Sequence, residues 1–441
     1  MLLIGNGRLI TRDPARPWLE DGAVLAEEGL IRAVGPMEEL KAQYPQAEFL
    51  DAAGGVIMPG LINAHEHIYS SFARGLSLTG YAPRGFLDIL EGLWWRLDRG
   101  LNLEDVAWSA RAAYADCIKN GVTTVFDHHA SYGAVEGSLS VLSDAARELG
   151  VRACLCYEVS DRDGPEQMRR AAEENERFLR ACRDDPMQAG MMGLHAAFTL
   201  SDATLDYCRS RTPEGAGFHI HVAEGVEDAR HSLREHGLPL VERLWRLGIL
   251  GPRTIAAHCI HVTGAEMDLL AETDTMVVHN PESNMGNAVG CSPILQLYKK
   301  GILVGLGTDA YTHDMLESAK AANLIHKHNL ADCNAGGAEV PAMLFSHNAQ
   351  IAGRYFSTPV GVLREGAAAD VIVTDYDPLT PMDASNCDGH ILFGMTGRSV
   401  VHTVCAGRVL MKDRRLQGVD EGALWARCRE QAADLWKRLN R

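Results

Sequence analysis

Eight short apolar runs, each typical of a buried strand, recur along the middle of the chain, and helix-like stretches separate most of them. The runs are Val56–Ile62, Val122–Phe126, Val151–Tyr157, Ala189–Leu194, Phe218–Val222, Thr254–Ala257, Thr275–Val278 and Ile302–Leu306. Strands that alternate with helices form parallel sheets, because each helix returns the chain to the same end of the sheet. Eight such units within about 300 residues fit a closed (β/α)₈ barrel of the TIM type better than an open sheet.

The two ends of the chain have a different pattern. Short β-rich segments broken by glycine occupy residues 1–55 and recur between residues 366 and 415, and a helix is expected over Gly418–Arg441. Neither end holds a core of its own, so we expect both to pack together as one small β-sandwich. The sequence therefore predicts an α/β protein with two domains: a barrel over residues 56–365 and a composite sandwich from residues 1–55 and 366–441.

Composition excludes several classes of function. The chain carries 58 acidic and 42 basic residues, a net charge of −16, which disfavours nucleic acid as a partner. No run of about 20 apolar residues predicts a membrane helix, and the residues Gly5–Gly7 interrupt the apolar N-terminus before it resembles a signal peptide. Eleven cysteines without a CxxC pair are typical of reduced thiols, so we expect a cytoplasmic protein.

Histidines and one aspartate follow the ends of these apolar runs. His65 and His67 follow the first run, His258 follows the sixth, and Asp309 follows the eighth. Residues two apart on a strand face the same side, so His65 and His67 can bind one ion while Glu66 points away. In a barrel the strand ends meet around one axis, and each buried polar group would be costly without a partner. A shared Zn²⁺ or Fe²⁺ ion satisfies all of them.

The fifth run ends in two histidines, His219 and His221, in the segment GFHIHVAEG. Both face the same side of the predicted strand. Their spacing alone therefore leaves open which of the two would bind the ion.

The segments PGLINAHEH, HVAEG, AHCIHV, HNPESNM and GLGTDAY occur in this order and resemble the amidohydrolase superfamily, above all its branch of cytosine, guanine and triazine aminohydrolases. Within that branch, HNPESNMGNAVG and the later HKHN run resemble an aminohydrolase associated with selenium metabolism. The resemblance covers nearly the whole chain, including the sandwich. It implies one divalent metal ion per chain, zinc with iron as the alternative, because the fourth run lacks the lysine that bridges two metals in some relatives.

By position, the resemblance implies that the metal ligands are His65, His67, His221 and Asp309. Its His-x-x-Glu pattern selects His221 over His219 and makes Glu224 an acid–base residue. His258 would contact the bound water or the oxyanion, and His195 would touch the substrate. The chain departs from the branch at Glu282, Gly286 and Asn287, where a basic residue and larger residues are common, and these departures bear on the identity of the substrate.

These residues predict an enzyme that replaces an exocyclic amine on a small nitrogen heterocycle with oxygen and releases ammonia. A bound cation lowers the pKa of its water to ~7, so hydroxide becomes available at neutral pH. Asp309 would accept the proton of the water, Glu224 would protonate a ring nitrogen, and His258 would stabilise the oxyanion. Hydrolysis of a cyclic amide or an imine at the same site is the alternative, and a non-catalytic barrel is a third hypothesis. A homodimer is plausible for such barrels.

Several other signals have simpler interpretations. The segment Gly305–Ala310 matches the dinucleotide fingerprint GxGxxA, but Asp309 within it is better explained as a ligand. Trp94 and Trp95 are expected in the core rather than in a pocket wall. His128 and His129 follow the second run and suit a pocket and a structural role equally well, and His313 is a candidate for the pocket.

Overall fold

A computed structural model describes all residues from 1 to 441, and it contains eighteen strands and seventeen α-helices. The strands are β1 (Leu2–Ile10), β2 (Trp18–Glu27), β3 (Leu30–Pro36), β4 (Glu48–Asp51), β5 (Val56–Pro59), β6 (Leu61–Glu66), β7 (Val122–His129), β8 (Arg152–Tyr157), β9 (Gln188–Gly190), β10 (Met192–Ala196), β11 (Phe218–Val222), β12 (Ile255–His258), β13 (Met276–His279), β14 (Val304–Leu306), β15 (Val371–Thr374), β16 (Val400–Cys405), β17 (Arg408–Lys412) and β18 (Arg415–Leu416).

The helices lie mainly between the strands of the middle segment. They are α1 (Met37–Gln43), α2 (Phe86–Ile89), α3 (Trp95–Gly100), α4 (Leu103–Lys119), α5 (Ser138–Leu149), α6 (Gly164–Ala181), α7 (Asp202–Arg211), α8 (Val226–His236), α9 (Leu240–Arg246), α10 (Gly264–Glu272), α11 (Pro281–Gly286), α12 (Ile294–Lys299), α13 (Met315–Leu330), α14 (Glu339–Ala342), α15 (Asn348–Gly353), α16 (Cys387–Gly394) and α17 (Glu421–Leu439). No helix combines the length and the apolar character needed to cross a membrane.

The strands β6 to β14 form the predicted barrel. Parallel pairing runs from β6 through β9 and from β10 through β14. A parallel bridge between Val159 and Leu194 joins the two groups, and a second bridge joins Glu66 to Asp309. There the backbone N–H groups of Thr308 and Asp309 donate to the carbonyl of His65 at 3.1 and 3.0 Å, which closes the ring. The fourth barrel strand is interrupted between β9 and β10, and the (β/α)₈ prediction is confirmed.

The first predicted strand, Val56–Ile62, is in fact two strands in different sheets. Val56–Pro59 pairs with β1 and β15, whereas β6 begins at Leu61 and pairs with β7. Gly60 lies at the transition, where a Cβ atom would lie 2.3 Å from Oγ1 of Thr123. The apolar run is continuous because both strands are buried, so hydrophobicity alone could not mark the change of sheet.

The two chain ends share one nine-stranded sheet in the order β18, β17, β16, β15, β5, β1, β2 and β3, with β4 paired to β1. Its own apolar cluster includes Ile4, Leu9 and Val24 from the first strands and Val371 and Val373 from β15. Residues from both ends therefore complete one core, as predicted. The division of the chain at residues 55 and 366 stays a prediction.

The barrel interior is apolar where its strands begin and polar where they end. Ile62, Phe126, Cys154, Ile255 and Met276 belong to one buried cluster inside the ring. The buried polar residues lie further along the same strands and in the loops that follow. The polar residues that could carry out chemistry therefore lie at the C-terminal end of the barrel.

Candidate metal centre and active site

Four of the predicted ligands converge at the C-terminal end of the barrel. Nε2 of His67 lies 3.1 Å from Nε2 of His221 and 3.2 Å from Oδ1 of Asp309. Nε2 of His65 lies 3.9 Å from the same carboxylate oxygen. All four residues are buried. Two come from the end of β6, one from β11 and one from the turn after β14, so the closed barrel brings together residues more than 240 positions apart in the sequence.

Each of these imidazoles has its second nitrogen fixed by another group. Nδ1 of His67 donates to the carbonyl of His128 at 2.6 Å, and Nδ1 of His221 donates to the carbonyl of His195 at 2.8 Å. This pattern turns every Nε2 atom toward the common centre, as is usual for histidines that bind metal. Nε2 of His65 is buried without a hydrogen-bond partner. Three such nitrogens and one carboxylate fit a zinc ion.

His219 and His221 occupy different positions relative to this centre. Nε2 of His219 lies 2.7 Å from Nδ1 of His65, so its ring is behind that residue rather than beside the other donors. If Nε2 of His65 binds a metal, its Nδ1 carries the proton and donates it to His219. The geometry therefore favours His221 as a ligand and gives His219 a supporting contact.

His258 and Glu224 lie beside the four donors. Nε2 of His258 is 3.5 Å from Oε2 of Glu224 and 3.5 Å from Oδ2 of Asp309. Nδ1 of His258 donates to Oδ1 of Asn284 at 2.8 Å, which fixes the ring. Burial raises the pKa of Glu224, and the nearby carboxylate of Asp309 raises it further while His258 lowers it. A carboxyl group with a raised pKa is suited to proton transfer near neutral pH.

The backbone is strained at three of these strand ends. Ala223, His258 and Asp309 have φ angles of 50°, 72° and 55°, in the left-handed region that non-glycine residues seldom adopt. Such conformations persist where the surrounding structure enforces them, and they concentrate at functional sites.

A cleft that is partly open to solvent lies above these residues. His67, His221, Glu224 and Asp309 lie in its floor, and its walls include Phe86, Trp94, Trp95, Phe198 and Tyr311. A cleft with aromatic walls and a polar floor has the lining that suits a small heterocyclic molecule.

The amidohydrolase family model matches residues 56–410 of this chain. The chain belongs to the amidohydrolase family. A shorter match, to the composite domain of bacterial imidazolonepropionase-like proteins, covers residues 22–47 in the terminal sheet. The family assignment from sequence motifs is thus confirmed.

Curated relatives of this amidohydrolase are deaminases. The chain is 32% identical to 5-methylthioadenosine/S-adenosylhomocysteine deaminase of Syntrophobacter fumaroxidans, with 95% of each chain covered. It is 30% identical to 5′-deoxyadenosine deaminase of Methanosarcina barkeri, with 100% of this chain and 99% of the relative covered. A crystal structure of an adenosine deaminase from Xanthomonas campestris with bound zinc is similar at a TM-score of 0.87 and 26% identity, covering 98% of both chains.

These findings confirm the predicted class of enzyme. The protein is a metal-dependent aminohydrolase, a hydrolase of carbon–nitrogen bonds other than peptide bonds. The family and the buried cluster of histidine and aspartate donors support zinc as its cofactor.

His195 lies at the cavity of the amidohydrolase, as predicted for a residue that touches substrate. Its Nδ1 atom is 2.7 Å from Oγ1 of Thr199, and its ring packs against Trp95 with centroids 5.9 Å apart. Its carbonyl also accepts the hydrogen bond from His221. His195 thus connects the metal centre to the cavity wall.

Several expectations about the surroundings were wrong or were left open by the sequence. Trp94 and Trp95 line the cavity, although the sequence favoured the core. His128 is structural, because its Nε2 donates to the carbonyl of Leu194 at 3.0 Å. His313 is outside the cavity and forms a buried ion pair with Glu66.

The sequence also missed a carboxylate pair in the cavity wall, Asp98 and Glu158. Both contact the guanidinium of Arg162, which lies 3.1 Å from Glu158. Burial raises the pKa of Asp98 to about 7, against the lowering effect of Arg162. Asp98 is on α3 and Glu158 follows β8, and only the position of Glu158 directly after a strand gave a signal in the sequence.

Proposed function

We propose that this aminohydrolase removes the exocyclic amine from the purine ring of a small nucleoside-like substrate and releases ammonia. The observation that carries the proposal is the pairing of Glu224 with His258 beside four convergent metal donors, at the floor of an aromatic cavity. The relatives named for the deamination of 5′-deoxyadenosine and 5-methylthioadenosine support adenine nucleosides as the substrate class.

We assign His65, His67, His221 and Asp309 to the metal. A zinc ion held there supplies Lewis-acid chemistry and lowers the pKa of a water molecule to ~7. The remaining steps belong to side chains of the protein. Asp309 accepts a proton from the attacking water through Oδ2, the oxygen that faces His258.

Glu224 and His258 complete the reaction on the substrate side. Glu224, whose pKa is raised by burial, gives a proton to the ring nitrogen next to the carbon under attack. His258 stabilises the oxygen that develops negative charge when its Nε2 also carries a proton, because its Nδ1 already donates to Asn284. The proton taken from water then goes to the departing amine, and the proton of the newly added hydroxyl returns to Glu224, so water and an amino heterocycle become a carbonyl heterocycle and ammonia with the acid restored.

The proposal predicts ammonia as a product. The purified zinc enzyme is incubated with aminated purines and their nucleosides, pyrimidines, pterins and triazines, and ammonia is detected with a coupled dehydrogenase. We expect at least one adenine nucleoside to release one ammonia per molecule consumed. If no ammonia forms and a cyclic amide or imine is hydrolysed instead, the deaminase assignment is wrong while the fold and the metal centre stand.

We also propose that the protein works in the cytoplasm, supported by its eleven unpaired cysteines. A homodimer, the absence of a nucleic-acid partner and the association with selenium metabolism stay predictions from the sequence.

A further inference from the structure

Glu224 accepts a hydrogen bond from a single residue of the protein, Asn287, which follows the short helix α11. Nδ2 of Asn287 donates to Oε1 of Glu224 at 3.1 Å. The other oxygen, Oε2, faces Nε2 of His258 at 3.5 Å. Asn287 itself is buried, and its Nδ2 also contacts Oγ of Ser283 at 3.3 Å. The two oxygens of Glu224 therefore have different surroundings.

The position of Asn287 follows from the packing of α11, whose last residue is Gly286. A Cβ atom on Gly286 would lie 2.0 Å from the hydroxyl oxygen of Tyr311, so the tyrosine ring occupies the space of a side chain there. Asn284 on the same helix holds His258. The short helix is thus fixed between the turn after Asp309 and the pair formed by His258 and Glu224. A side chain at position 286 would clash with Tyr311, so this packing requires glycine at position 286.

The amide of Asn287 makes the two oxygens of Glu224 unequal as sites for a proton. The Nδ2 group of Asn287 has only hydrogens to offer, so the oxygen it contacts must be an acceptor. The carbonyl oxygen of a carboxylic acid is a stronger acceptor than its hydroxyl oxygen, so this contact favours a proton on Oε2, the oxygen that faces His258 and the cavity floor. After the proton has left, the same amide stabilises the carboxylate.

We propose that Asn287 is a positioning residue, which orients Glu224 so that the transferable proton is on Oε2. The proposal rests on the proposed function of Glu224 as the proton donor to substrate.

The variant Asn287→Leu tests the proposal, because it removes the donor and keeps a side chain of similar size. A lost hydrogen bond to a group that becomes charged should lower kcat by about 10- to 100-fold. We expect the zinc content to stay near one per chain, since Asn287 is not an assigned ligand. Asn287 lines the cavity, so KM can also change, but the loss in kcat should exceed the change in KM. Met285→Leu, an exposed position on the same helix, is the control and should have unchanged kinetics.

A double-mutant cycle with Glu224→Gln separates orientation of the acid from other effects. Glutamine has no transferable proton, so Asn287→Leu should cost less than about 3-fold more in that background. The proposal would be overturned if the kcat losses of the two single variants multiplied in the double variant. It would also be overturned if Asn287→Leu had a wild-type kcat, or if the only change in Asn287→Leu were a rise in KM. Near wild-type turnover of Glu224→Gln alone would refute the proton role itself, and that result is visible in the single variant.

Discussion

The double variant His65→Ala, His67→Ala should lose its zinc and its deaminase activity together. These residues supply two of the four donors, both from the end of β6, and their Nε2 atoms lie 3.9 and 3.2 Å from Oδ1 of Asp309. The variant keeps only His221 and Asp309, which is too few for a tightly held zinc ion. Elemental analysis of the purified protein should fall from about one zinc per chain to less than about a tenth of that. Ammonia release should be undetectable.

A second buried histidine pair offers a matched control for this experiment. His279 and His326 approach each other with Nε2 atoms 3.1 Å apart, outside the proposed ligand set. The variant His279→Ala, His326→Ala removes the same number of buried imidazoles and should keep about one zinc per folded chain. Full zinc occupancy in a folded His65→Ala, His67→Ala protein would refute the assigned ligands.

The sequence predicted that the polar side chains of the site converge, because barrel strands are short and their ends carry the polar residues. His65, His67, His258 and Asp309 each follow an apolar run, and parallel strands place all such ends on one face. The choice between His219 and His221 required more, because the two residues share a strand face. In the structure, Nε2 of His219 contacts Nδ1 of His65, on the side of that ring away from the other donors. Spacing along one strand does not predict this contact.

Other parts of the site depend on loops, and the sequence could not place them. Asp98 and Trp95 are on α3, within the long segment between the first two barrel strands. Asn287 follows the six-residue helix α11, whose position depends on the contact between Gly286 and Tyr311. These contacts are between loops that follow different barrel strands. Tertiary packing determines the paths of such loops, so the local periodicity of the sequence does not predict them.

The variant Glu224→Gln should separate proton transfer from metal binding. Glutamine keeps the shape of the side chain, and its carbonyl oxygen can still accept from Nδ2 of Asn287, but it has no proton to give at neutral pH. General acid–base residues contribute about 10²- to 10⁴-fold to rate, so kcat should fall by that factor. Zinc content and melting temperature should stay close to those of the unchanged protein, because Glu224 is not among the assigned ligands.

Two further variants, Glu227→Gln and Asp309→Asn, serve as comparisons for Glu224→Gln. Glu227→Gln, in the same acidic stretch but outside the cavity, makes the same change of side chain and should leave turnover unchanged. Asp309→Asn should differ from both, losing zinc as well as activity, since Asp309 contacts His67 at 3.2 Å and also faces His258. If Glu224→Gln turned over its substrate at nearly the original rate, the proton would have to come from elsewhere. His258, whose Nε2 lies 3.5 Å from both carboxylates, would be the first residue to replace.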